Sequence, residues 1–309
     1  MKINGKIGMG LVCLSLIVLA FFSACNKESS NGSVTVPEGM QKVTVSLNDD
    51  PLPNLASVIV DIRYVEVKVD TSGGHHDDRY YDDDHEGDED HHEGENDHHE
   101  GDDNGHHGDH FGKWDTLAIA PGKYDLLKLK NGADTLIANS FSHKGKITKI
   151  RITLGTDNSV STDSTHSFPL PICSGSPYVY ANIRSTSIDS LGGGQFAIHV
   201  DFNVARSIVF EDGQFCLRPR IKTYCHSHSG GIEGKVLPSE AKASVLIYNS
   251  TDTANALPER EGEFEVRGLT AGTYSVLFRA TSPYKDTTLS NINVQDGQET
   301  KLPDITLHQ

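Results

Sequence analysis

The chain has 309 residues, room for about two domains, and carries 43 Asp and Glu against 27 Lys and Arg, a net charge of −16. Sixteen of those acidic residues, ten histidines and one arginine fall between positions 75 and 110, so one stretch holds all but one of the net negative charges and the remainder is close to neutral. No cluster of Lys and Arg of the kind that neutralises phosphates is present, which excludes nucleic acid as a partner.

Positions 1–24 read as a targeting segment. Lys2 and Lys6 form a positive start, and 7–22 is apolar but too short for an ordinary spanning helix. Phe22-Ser23-Ala24-Cys25 resembles a bacterial lipobox, with Phe22 where Leu is usual. The resemblance implies cleavage before Cys25 and acylation of that residue. Each buried methylene contributes about 0.8 kcal/mol, so two or three acyl chains would anchor the protein in a membrane almost permanently. No Asp follows Cys25, which by resemblance to lipoprotein sorting signals favours the outer membrane, with periplasmic and surface-exposed faces both open. Positions 25–40 are small and polar, the composition of a flexible tether.

Strand signals then follow one another through 41–225. Val43, Val45 and Leu47 alternate with polar residues, the period of a half-buried strand. Val58, Val60, Ile62 and Tyr64 share one face and Val65, Val67 and Val69 the other, which predicts a bulge or a change of sheet at Tyr64-Val65. Trp114 and Leu117 resume as the partner strand, so 73–112 reads as a long, disordered, low-complexity His/Asp-rich insertion between two strands. Positions 124–129 predict a strand or a short helical turn. Positions 147–154 and 196–202 alternate again, and 208–210 and 215–221 complete the set. No long 3.6-residue period appears, and the expected class is all-β, with a β-sandwich over 41–225.

Several of these stretches together resemble the domain-of-unknown-function 4382 family. They are Val43-Thr44-Val45-Ser46-Leu47-Asn48-Asp49, Tyr124-Asp125-Leu126-Leu127-Lys128-Leu129-Lys130-Asn131-Gly132 and Ile150-Arg151-Ile152-Thr153-Leu154. Asp201-Phe202-Asn203-Val204-Ala205-Arg206-Ser207-Ile208-Val209 and Leu217-Arg218-Pro219-Arg220-Ile221 follow in the same order. The resemblance implies a secreted bacterial lipoprotein and adds no reaction. Cys173, within Pro171-Ile172-Cys173-Ser174-Gly175, departs from the family pattern, as does the length of the insertion.

Positions 229–309 form a second unit. Gly230 to Val236 stands as G-x-[IV]-x-G-x-V, and Gly262 to Tyr274 as G-x-F-x-[VI]-x-G-L-x-x-G-x-Y. These resemble the carboxypeptidase regulatory-like (prealbumin-like) module, which implies a second, smaller β-sandwich. Some relatives of that fold bind starch, so a glycan partner is one expectation and a protein-contact module another. Tyr248 and Tyr284 are the only aromatics suited to the first.

The insertion repeats His91-His92-Glu93-Gly94, His98-His99-Glu100-Gly101 and His106-His107-Gly108. With His75, His76, His85 and His110 it sets imidazoles among carboxylates, donors that suit Zn²⁺, Ni²⁺ or Cu²⁺. Asp82-x-Asp84-x-Glu86-Gly87-x5-Glu93 approaches a calcium loop, with Glu86 out of pattern and no flanking helices. Two readings follow: a solvated insertion without a ligand, or weak capture of Zn²⁺, Ni²⁺ or Ca²⁺. No other cofactor is implied. In an oxidising compartment one disulfide is expected, Cys173 with Cys216 or Cys225. Cys225-His226-Ser227-His228 reads as a linker or a metal corner. His199 and Asp201 alternate on one strand face and read as a hydrogen-bonded surface pair. No G-x-S-x-G, H-E-x-x-H or phosphate loop is present. The functional expectation is a non-catalytic, lipid-anchored envelope protein acting as a binding or adhesion-type module, its membrane contact the N-terminal lipid.

Overall fold

A computed structural model describes residues 35–52, 54–72 and 112–309, of which Val36–Gln309 forms one compact unit. Strands dominate it. In chain order they are β1 (Met40–Asp50), β2 (Ser57–Asp70), β3 (Lys113–Leu117), β4 (Gly122–Asp125), β5 (Thr135–His143), β6 (Lys146–Leu154), β7 (Ser159–Ser161), β8 (Ser167–Pro169), β9 (Tyr178–Asn182), β10 (Asp189–Gly192) and β11 (Gln195–Asn203). After one helical turn, Val204–Ser207, come β12 (Ile208–Glu211), β13 (Gln214–Leu217) and β14 (Ile221–Tyr224). The remainder comprises β15 (Gly230–Leu237), β16 (Ser244–Tyr248), β17 (Thr253–Ala256), β18 (Glu263–Leu269), β19 (Gly272–Arg279), β20 (Thr287–Val294), β21 (Glu299–Lys301) and β22 (Ile305–Thr306).

Two sheets enclose the first core. One runs β10-β11-β1-β5 with β14 also on β11, and β1 lies parallel to β11. The other runs β8-β7-β2-β6-β9, with β3 and β4 on the second edge of β2. Val43, Val45, Leu47, Ile198 and Val200 from the first sheet are buried against Val58, Val60, Val67, Ile150 and Ile152 from the second. Alternation puts every second side chain on one face, so each of these valines and isoleucines faces the opposing sheet. The register shift between Ile62 and Tyr64 corrects the sequence expectation for β2. The extra residue turns Arg63 and Tyr64 both outward, and Val65, Val67 and Val69 return to the same core as Val58 and Val60 rather than facing away from it. The stretch 124–129 divides, its first part in β4 and Leu126–Lys128 in a 3₁₀ turn whose Leu126 and Leu127 enter the core.

A second hydrophobic cluster lies between β18-β15-β21 (with β22) and β17-β16-β19-β20. Its glycines have a packing reason. A Cβ on Gly234 would meet the Phe264 ring at 2.9 Å, so the G-x-[IV]-x-G run lets an aromatic lie flat on β15. Tyr274 is buried, and its hydroxyl donates to the Thr270 carbonyl at 2.8 Å and to Asp252 Oδ2 at 3.2 Å, which fastens the turn leading into β19 to the sandwich.

The two clusters are joined through polar contacts. Asn131 Nδ2 donates to the Leu257 carbonyl and to Glu259 Oε1, each at 2.8 Å, and Arg267 Nη1 donates to the Gly132 carbonyl at 3.1 Å. Gly268, at φ +72°, lies against Tyr224, and a Cβ there would sit 2.9 Å from the ring. No helix among the described residues is long and apolar enough to cross a membrane.

Candidate functional site

The outward face of the larger sheet carries an aromatic patch. Register places Glu66 beside Arg151 and Arg151 beside Tyr180, with Tyr178 two residues away on β9 and Trp114 across β2 on β3. Arg151 Nε and Nη2 donate to Glu66 Oε2 and Oε1 at 2.5 and 2.7 Å, which fixes the guanidinium plane. The same bonds to Glu66 push the Arg151 pKa further upward, so it stays a cation. Its Cζ lies 4.4 Å from the Trp114 ring centre and 5.1 Å from that of Tyr178, within cation–π reach of both. Trp114 and Tyr180 are 6.1 Å apart and Tyr178 and Tyr180 6.3 Å. Tyr64, Tyr178 and Tyr180 are 57, 47 and 51% exposed, on a face with no covering layer among the described residues. Sequence reasoning passed over this patch because the three residues come from two strands far apart in the chain. The outward parity of Tyr178 and Tyr180 about Val179 was the available signal.

A buried acidic cluster sits where the two cores meet. Asp50 and Asp201 come from the ends of β1 and β11, adjacent parallel strands, and register sets them on one face; Asp49, paired with Phe202, lies on the other and accepts the Val204 backbone N–H at 3.3 Å. Lys222 Nζ lies 3.5 Å from Asp201 and 4.0 Å from Asp252. Asp50 Oδ1 accepts from the Asn255 backbone N–H at 2.5 Å, and Asn203 Nδ2 donates to Asp50 Oδ2. Burial first, and the neighbouring Asp201 second, push the Asp50 pKa up to about 7; burial likewise raises Asp49 and Asp201. Asp201 is therefore a buried member of this cluster and not half of a surface pair with His199, as its alternation had suggested.

His199, two residues earlier on the same face of β11, has different partners. Its Nε2 is 3.4 Å from Asp189 Oδ2, and its ring centre is 4.3 Å from that of His226. Asp189 lies on β10, beside β11, and His226 in the turn that follows β14. Asp189 Oδ2 also accepts the His226 backbone N–H at 3.1 Å, and Ser227 Oγ donates to Oδ1 at 3.4 Å, so the carboxylate organises the turn around itself. Desolvation, then the proximity of His226, lower the His199 pKa. One nitrogen or carboxylate oxygen from each of Asp189, His199 and His226 lies within 4.8 Å of the others.

A family model described as "Domain of unknown function (DUF4382)" matches residues 40–219, more than half of the chain. The chain belongs to the DUF4382 family. The matched segment covers the first core up to β13, and thus the aromatic patch, Asp49, Asp50, Asp189, His199 and Asp201. Lys222, His226 and all of the second core lie beyond it. No curated protein matches this DUF4382 chain. Solved structures similar to it include a type II cohesin–X-dockerin complex from Acetivibrio cellulolyticus, at 22% identity over 25% of this chain and 56% of that one, TM-score 0.22. The shaft pilin spaA from Lactobacillus rhamnosus GG is similar at 9% identity over 87 and 98% of the two chains, TM-score 0.22. The Bacillus anthracis TIE protein is similar at 12% identity over 82 and 34%, TM-score 0.21. The chain spans about half the length of the first of these. TM-scores of this size carry no argument about activity or partners.

Of the residues singled out from the sequence, Cys25 and the insertion's His75, His76, His85, His91, His92, His98, His99, His106, His107, His110, Asp82, Asp84 and Glu93 lie outside the described residues. Cys173 and Cys216 are joined, with Cα atoms 5.2 Å apart, and Cys225 is a buried free thiol whose Sγ donates to the Thr186 carbonyl at 3.1 Å. The Cys225–His228 corner does not converge on itself: Cys225 points inward, Ser227 bonds Asp189, and the His226 ring lies against His199. In the second sandwich Tyr284 packs against the core while Tyr248 stays half exposed, so the two do not form an open stacking pair.

Proposed function

We propose that this DUF4382 protein is a non-catalytic, lipid-anchored component of the cell envelope that binds a protein partner through the aromatic face of its first sandwich. The observation that carries this reading is the patch of Trp114, Tyr178 and Tyr180 around the Arg151–Glu66 pair. Trp, Tyr and Arg are the residue types that concentrate binding free energy in interfaces. Here the Arg151 guanidinium is already held by Glu66, so less side-chain entropy remains to be lost on docking. The second sandwich serves as a spacer locked to the first. The lipobox-like Phe22-Ser23-Ala24-Cys25 supports anchoring through Cys25 at the outer membrane.

A photo-crosslinking residue at Thr116, exposed on the same face, tests the binding surface in the native host. A discrete adduct that disappears when Trp114→Ala and Tyr180→Ala are combined is expected; an adduct indifferent to both changes, or none, would overturn the assignment. Anchoring is tested separately by metabolic labelling with a clickable fatty acid, lost in Cys25→Ala. Soluble, unlabelled wild-type protein would contradict it.

A further inference from the structure

We infer that Asp189, His199 and His226 form a binding site for a divalent transition-metal ion of the zinc class, seated at the turn that joins the two sandwiches. The donor set is two imidazoles and one carboxylate, which selects first-row transition metals over Ca²⁺ or Mg²⁺, ions that require six or more oxygens. The geometry is close to what such an ion needs. His199 Nε2 and Asp189 Oδ2 are 3.4 Å apart, near the ~3.4 Å edge of a tetrahedron with bonds of about 2.1 Å. The third donor, on His226, lies within 4.8 Å of both, so a small rotation of an exposed side chain completes the triangle.

Two further features fit a ligand site better than a packing accident. Asp189 is oriented by the His226 backbone and Ser227 Oγ, the outer hydrogen bonding that metal-binding carboxylates commonly have. His226 also lines an open cleft of about 310 Å³ with Gly230, Gly231, Arg267 and Glu299, which supplies an entry path and room for a water as fourth ligand. The ion would tie β10 and β11 of the first sandwich to the residues leading into β15, so its binding stabilises the junction. This site is independent of the aromatic face.

The ten histidines of the insertion would mask it in a simple titration. The experiment therefore uses the full chain in detergent micelles with all ten changed to asparagine, titrated calorimetrically with Zn²⁺. One equivalent bound, with a rise in Tm, is expected. His226→Ala, at an exposed position, should retain the metal-free Tm and weaken binding at least ~10-fold, the loss that even an outer-shell partner commonly causes. Asp189→Asn should weaken Zn²⁺ binding likewise, and any heat from Ca²⁺ should be unchanged by His226→Ala. Absence of Zn²⁺ binding in the insertion-substituted chain, or binding unchanged by His226→Ala, would overturn the site.

Discussion

Asp50 and Asn255 are 205 residues apart in the chain, and the carboxylate of the first accepts the backbone N–H of the second at 2.5 Å. One side chain at the end of β1 thus reaches a strand of the other sandwich. Because Asp50 is buried beside Asp201, this contact is made in a place that disfavours negative charge.

The pH dependence of stability follows from that placement. The Asp50 pKa is raised from 3.8 to about 7 on folding, so its contribution is fully present below pH ~4 and is lost as pH rises through about 7. Asp49 and Asp201 are shifted in the same direction. Tm should therefore fall between pH 5 and pH 8, on the order of 5 °C for a change of a few kcal/mol. Thermal unfolding of wild type and Asp50→Asn across this range checks it: the variant's profile should be flatter. A wild-type Tm that rises over the same interval would refute the assignment.

Tyr274→Phe removes a buried hydroxyl and its bonds to the Thr270 carbonyl and Asp252, the latter keeping the Thr253 N–H. The expected cost is about 1–2 kcal/mol, read as a lower urea midpoint. Gly268→Ala should cost at least as much, because a Cβ at φ +72° is strained and would press on Tyr224.

Linking Cys173 to Cys216 closes a loop of sequence separation 43. Cys173→Ser should lower stability by about 4 kcal/mol on the chain-entropy estimate. In a chain starting at Asn26, a thiol reagent should find no reactive group under native conditions and one, Cys225, after denaturation without reductant. Two or three reactive thiols would exclude the disulfide.

Trp114→Ala separates binding from stability. Loss of the cation–π contact at a partly exposed site should cost ~0.5–1 kcal/mol of folding free energy. A hot-spot aromatic carries 2 kcal/mol or more of binding, roughly a 30-fold loss of affinity. Equal losses in both measurements would identify the patch as structural support.

The sequence by itself determined the all-β class and the strands with clear alternation, β1, β2, β6 and β11 in the first sandwich, while β5 and β9 were not legible in it. Period-2 alternation at Val43, Val45, Leu47 and at Ile150, Ile152 is local information, and burial follows from it once one face is apolar. The place of the bulge in β2 was legible for the same reason, within about a residue; its consequence was not, since only the facing sheet decides which side of the shifted strand is inside. The family followed from ordered motifs. Tertiary structure alone decided the sites. Asp50 shares a face with Asp201 because β1 and β11 run parallel in one register, His199 meets His226 because β14 returns along β11, and Trp114 meets Arg151 across β2. None of these pairings has a sequence period, because each joins strands whose separation along the chain is set by loops. Even the choice of Cys216 over Cys225 for Cys173 rests on which strand end reaches the Pro171–Cys173 segment, where Leu217 bonds the chain from both sides.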